Sequence, residues 1–144
     1  YLRSKNLPAE ARRGRDPRLE AMPWDSQKNL EMRIGPSDGR DVVGLSHADV
    51  AIAEAGTLVL TSGPHNPTTL NFLPDHHVVV IEASAIVGDI ETALATIRDA
   101  YGKGEMPRTV NFITGPSRSG DIEQTILLGA HGPRALHIVI VGEV

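Results

Sequence analysis

The 144-residue chain contains no cysteine. Disulfides, thiolate zinc sites, iron–sulfur ligation and a cysteine nucleophile are therefore excluded for this polypeptide itself. Aromatic residues are scarce at 3%, while apolar residues reach 40%, so a core must be assembled from Val, Ile, Leu and Ala rather than from rings. That composition favours β-branched strands layered against Ala/Leu helices, an α/β class. No apolar run approaches the roughly 18 residues of a membrane span, and no signal-peptide pattern opens the chain, so a cytoplasmic protein with no membrane association is expected. The net charge of −4 and a pI near 5.8 offer no general attraction for nucleic acid. There is no internal repeat and no low-complexity tract.

The segments present divide into two regions. Residues 1–40 carry charge, Pro and Gly with little periodicity and read as an extended N-terminal arm, pinned through Leu19, Trp24 and Leu30. Residues 41–144 read as one α/β domain. Ala48–Ser62 contains two apolar runs joined at Glu54-Ala55-Gly56, which predicts a strand, a turn with positive φ at Gly56, and a second strand. His77–Glu82 is a β-branched run of the kind buried on both faces of a parallel sheet. Ile90, Ala93, Leu94, Ile97 and Tyr101 form one helical stripe, with Asp89 at the N-cap position and Gly102 just beyond the end. Val110–Thr114 is predicted as a buried strand and Leu136–Val141 as the last one.

The densest chemistry lies in Thr114-Gly115-Pro116-Ser117-Arg118-Ser119-Gly120-Asp121-Ile122-Glu123-Gln124, read as a loop following a strand. Glycines let backbone N–H groups approach a ligand, and Arg118 offers a planar donor fork for a carboxylate or phosphate. Thr57, Thr114, Gly115, Ser117, Arg118, Asp121 and Glu123 are thus candidate substrate-binding residues, with Asp121 and Glu123 also able to orient the arginine. The same residue types are ordinary turn and cap chemistry, and that plainer reading stands beside the first. Glu54 at the hairpin turn and His131 between two glycines are the candidate catalytic groups; a solvated turn carboxylate and a backbone-bonded imidazole are the plainer alternatives. His76 and His77 point to opposite faces of a strand and do not share a metal. No metal site is expected.

Ala48–Leu60, Asn66-Pro67-Thr68-Thr69-Leu70-Asn71-Phe72-Leu73-Pro74, Thr114–Gln124 and Gly129–Val141 together resemble the LUD domain of lactate utilization proteins, over roughly residues 40 to 142. The resemblance implies a Rossmann-like three-layer sheet of the NagB/RpiA/CoA-transferase-like fold. It implies a subunit of a system that oxidises L-lactate to pyruvate beside iron–sulfur partner proteins, with no intrinsic cofactor and with the clusters on the partners. Members usually carry a further N-terminal βα region, so the chain resembles the later part of a longer family domain, and edges left open by its absence would favour a homo-oligomer. A free-standing isomerase- or transferase-like enzyme acting on a phosphorylated or CoA-linked carboxylate, and a regulatory scaffold module, are the alternatives.

Overall fold

A computed structural model describes residues 1–24, 27, 29–37, 39–63, 65–102, 109–115, 118–122, 125–128 and 132–142, with 118–122 and 125–128 described as backbone. In chain order the elements are β1 (Glu10–Arg13), α1 (Pro17–Glu20), β2 (Glu31–Ile34), β3 (Val43–His47), β4 (Val50–Ile52), β5 (Thr57–Thr61), β6 (His76–Glu82), β7 (Ile86–Val87), α2 (Ile90–Tyr101), β8 (Val110–Ile113), β9 (Arg118–Ile122), β10 (Thr125–Leu128) and β11 (Ala135–Val141).

Five strands form a parallel sheet in the order β11-β6-β3-β1-β2. The β-branched run Val78-Val79-Val80-Ile81 occupies its interior in β6, paired on both sides, with Val79, Val80 and Ile81 almost completely shielded. Strands enclosed on both faces need no polar alternation, and this is why the sequence there is continuously apolar. A second sheet, β7-β4-β5-β8, packs against one face of the first. Leu58 and Leu60 of β5 meet Val79 and Ile81 of β6, with Ala48 between. Val50, Ile52 and Val59 on the opposite face of this second sheet receive Ala93 and Ile97 of α2. The other face of the parallel sheet is covered by Leu19 of α1 against Leu45 and Val80, with Met22 and Trp24 beside them. Each fully buried Leu, Ile or Val contributes about 1.5–3 kcal/mol through its removal from water. The α/β class with a parallel central sheet and flanking helices is as expected from the sequence.

Local predictions of turns and caps hold. Thr57-Ile52, Leu58-Ala51 and Val59-Val50 pair antiparallel, and Gly56 in the connecting turn has φ +64°. Asp89 caps α2, its carboxylate accepting from the Thr92 N–H at 2.7 Å. Gly102 closes the helix with φ +89° and donates its N–H to the Arg98 carbonyl.

Three expectations are corrected. The segment 1–40 is not simply an arm, because β1 and β2 enter the parallel sheet; their mixed polar sequences, Glu-Ala-Arg-Arg and Glu-Met-Arg-Ile, hide the strands because only Ala11 and Met32 need to face the core. Leu19 and Trp24 do pin it, the indole N–H donating to the Leu19 carbonyl at 2.6 Å. Val110–Ile113 is not a buried strand: β8 lies outermost in the second sheet's strand order and Phe112 is 47% exposed. Finally, Arg118–Ile122 is a strand rather than a loop, paired with β10 through Arg118-Leu128, Ser119-Leu127 and Ile122-Thr125.

Candidate functional site

The predicted site residues fall in one neighbourhood only in part. The register places Leu58 opposite Ile113, which brings Thr57 at the start of β5 beside Thr114 just after β8, their hydroxyls 2.6 Å apart. Gly115, with φ +80°, follows at once, in a backbone conformation that a side chain would strain. Glu54 lies exposed in the β4–β5 turn, three residues before Thr57, its N–H donating to the Gly88 carbonyl at 3.2 Å. Arg118 and Asp121 are on β9. Ser117, Glu123 and His131 lie outside the described residues.

A second polar constellation, which sequence reasoning missed, sits at the opposite end of β5, where β1 and β3 present their carboxyl ends. Gly14, immediately after β1, packs so closely on the His65 carbonyl and the Pro67 ring that a Cβ has no space. Asp16 then caps α1, accepting from the Arg18 N–H at 2.9 Å. The Arg18 guanidinium is held by Asp16 at 2.6 Å and by Asp49 at 3.1 Å, and it also donates to the Ala48 carbonyl. Asp49 in turn accepts from the Thr61 N–H and hydroxyl, both at 2.8 Å, and Tyr101 at the end of α2 donates to the Thr61 hydroxyl. Burial pushes the Asp16 carboxyl up, but the hydrogen bonds and charge of Arg18, helped by Asn66, outweigh it and hold the group below the usual carboxylate range. Burial likewise opposes the charge on Arg18, and its two carboxylates overcome that.

His47, at the end of β3, donates from Nδ1 to the Ala48 carbonyl at 2.7 Å, which leaves Nε2 as the unprotonated nitrogen of the neutral ring. Burial first, then the nearby Arg18 charge, lower its pKa, while Glu82 3.9 Å away acts in the opposite sense. Behind it runs a buried chain: His77 Nε2 to Ser46 Oγ at 2.9 Å, and Ser46 Oγ to Asn71 Oδ1 at 3.2 Å. Burial lowers the His77 pKa to about 4. Asn71 ends a 3-10 turn, Thr68–Asn71, that starts after Pro67 and buries Leu70, so the Asn-Pro-Thr-Thr-Leu-Asn sequence is a device for delivering one amide to this place. Ser46, His47, Thr61, Asn66 and Asn71 line a small cavity of about 10 Å³ together with Gly14.

This constellation was invisible in the sequence because its starting point, the end of β1, lies in a segment without a strand signature. The usable signal was the carboxyl end of β3, since open α/β sheets bind ligands beyond those ends. The histidines behave as their spacing implies: His76 bonds the Tyr1 hydroxyl through Nδ1 while the adjacent His77 bonds Ser46. Tyr1 also stacks on His137. Among the described residues no group of three His, Asp or Glu side chains is placed to hold a metal ion, and no helix is long and apolar enough to cross a membrane.

The family model described as LUD domain matches residues 9–141. Lactate utilization protein C of Geobacillus sp. (strain WCH70) is 43% identical over 100 residues, covering 68% of this chain and 42% of that protein. Lactate utilization protein C of Shouchella clausii (strain KSM-K16) is 37% identical over 118 residues, covering 81% of this chain and 51% of that protein. The chain thus spans about half the length of these relatives. A crystal structure of a DUF162 family protein from Deinococcus radiodurans superposes with a TM-score of 0.61 at 20% identity, covering 98% of this chain and 80% of that one, a likeness of fold.

Proposed function

Because this chain belongs to the LUD domain family, we propose that it serves lactate utilization, supporting oxidation of L-lactate to pyruvate by handling a small carboxylate. The observation that carries this reading is the 43% identity to a lactate utilization protein C across 68% of the chain. Oxidising lactate releases two electrons and two protons, and a chain without cysteine has no thiolate set to hold an iron–sulfur cluster. In this reading the electrons pass to partner proteins, and iron–sulfur proteins are the partners that family membership implies. Omitting the intact protein from a reconstituted system should abolish lactate-dependent dye reduction; undiminished reduction overturns the reading.

In this reading Arg118 engages the carboxylate, near Thr114, Gly115 and Ser117 in sequence, with Asp121 and Glu123 setting its orientation and Glu54 and His131 as acid–base candidates. Arg118→Ala should weaken L-lactate binding by roughly ten- to hundredfold, the equivalent of about 1.5–3 kcal/mol for a charge-assisted contact. Arg118→Lys should also weaken it, since an ammonium cannot reproduce the planar fork. Calorimetry with melting curves for both variants is the check, and a stability loss with unchanged affinity would assign Arg118 to a structural pair.

One observation favours a second reading, an enzyme acting alone on a phosphorylated or CoA-linked carboxylate. The cavity beyond β1 and β3 lies at the carboxyl ends of parallel strands, where such folds place their ligands, and would take an uncharged oxygen of that substrate rather than its phosphate or carboxylate. Saturable binding of a CoA thioester or sugar phosphate to the isolated protein would support it, and a silent screen would remove it.

A further inference from the structure

We propose that the cavity beyond β1 and β3 is a binding site for a neutral hydroxyl or carbonyl oxygen of a small molecule, aligned by the buried relay His77–Ser46–Asn71.

Polar side chains share the walls with Leu45, Leu60, Pro67 and Leu70. Ser46, His47, Thr61 and Asn71 are each 7% exposed or less, and they converge from β3, β5 and the 3-10 turn on a space of about 10 Å³. Burying polar groups is costly unless each finds a partner. The space fits about one water-sized group, that is, a single ligand oxygen.

The proton positions in the relay follow from its chemistry. Asn71 Oδ1 can only accept, so the single Ser46 proton points to it. Ser46 Oγ must then accept from His77, which places the imidazole proton on Nε2 and leaves the buried Nδ1 bare; no hydrogen-bond partner lies near Nδ1 among the described residues. With its proton on Nε2, His77 cannot take the Ser46 proton, so the pair is not an activated nucleophile. Its effect is positional: Asn71 Oδ1 is occupied by Ser46, and the amide –NH2 is the donor that remains at the cavity wall. His77 and Ser46 are positioning residues, and Asn71 is the contact.

Charge excludes an anion. The Arg18 guanidinium is already shared by Asp16 and Asp49, the buried Arg13 donates to the Gly14 carbonyl and lies 3.9 Å from Glu20, and Glu82 is a further carboxylate beside a neutral His47. A carboxylate or phosphate entering here meets acids that already engage the arginines. A hydroxyl or carbonyl oxygen meets the Asn71 amide donor without that repulsion.

The cavity chemistry does not rest on the lactate-utilization reading, and L-lactate serves as an anionic control. The intact protein, isotopically labelled, is titrated with L-lactate, propionate, 1,2-propanediol and inorganic phosphate. Propanediol should shift the resonances of Ser46, His47, Thr61 and Asn71, whereas L-lactate, propionate and phosphate, whose charge the acids repel, should not. Asn71→Leu should weaken propanediol binding by about tenfold or more, since a lost donor leaves the ligand oxygen unpaired. Where that variant folds poorly, Asn71→Asp keeps the acceptor for Ser46 while removing the donor, and should lose propanediol binding. Propanediol that leaves the four resonances unmoved, phosphate that moves them equally, or Asn71→Asp with unaltered binding would each overturn the proposal. Propanediol binding at these residues in a protein that proves dispensable for lactate oxidation would leave the site standing and remove only the lactate role.

Discussion

Arg18→Ala is expected to lower the unfolding free energy by about 3 kcal/mol, because it leaves two carboxylates facing each other with no cation between them. Breaking a buried ion pair by deleting one partner typically costs about 3–5 kcal/mol; the Arg18 side chain is 35% exposed, so solvent screening trims the value toward the lower end. Asp16 suffers most, since its side chain is 2% exposed and the N-cap of α1 depends on it. Protonation relieves the repulsion, so the variant should lose less stability at pH 5 than at pH 7.5. Arg18→Lys should fall between, retaining charge but not the contact with Asp16 through both Nε and Nη2. Urea unfolding of the three proteins at both pH values measures this, and an Arg18→Ala variant as stable as the parent would show that Asp16 and Asn66 hold the corner unaided.

Acidification itself should destabilise the protein through its buried histidines. His77 has a pKa of about 4 in the fold against about 6.5 in the unfolded chain, so between these values the unfolded state binds more protons. Stability therefore rises with pH through this window and is lost as pH falls through it. From pH 7.5 to pH 4.5 the loss is about 2–3 kcal/mol for His77 alone. His47, whose pKa is lowered for the same first reason, burial, adds loss of the same sign. Asp16, held below its usual range, adds loss only below the ordinary carboxylate pKa. His77→Gln retains a donor for Ser46 and does not titrate, so its stability should depend less on pH. An identical slope for parent and variant would place the acid sensitivity elsewhere.

The sequence spelled out those elements whose local chemistry and tertiary role agree. The β-branched run of β6, the capped stripe of α2 and the Glu54–Gly56 turn each satisfy one residue pattern and one environment. It was silent where the two diverge. β1 presents Arg12 to Asp41 and buries Arg13 among neighbouring strands, so a strand with two arginines looks like a solvated arm. The candidate site suffered in the same way. A dense run such as Thr114–Gln124 is conspicuous in one dimension, whereas Asp16, Ser46, Thr61 and Asn71 are single residues scattered along the chain. The parallel register of β1, β3 and β6, with β5 packed against it, gathers them. Thr57 and Thr114, by contrast, were both chosen from sequence and do meet.

The pairing of β6 with β11 also governs the order of assembly. His76 aligns with Ala135, so this contact closes a chain segment of about sixty residues, whereas β4 meets β5 across a four-residue turn. Contacts of such long separation slow folding, and the hairpin of the second sheet will form far earlier than the edge of the first. During synthesis β6 emerges well before β11, with an open edge of β-branched residues exposed until β11 arrives. The interval is the period in which the nascent chain is most prone to pair with the wrong strand.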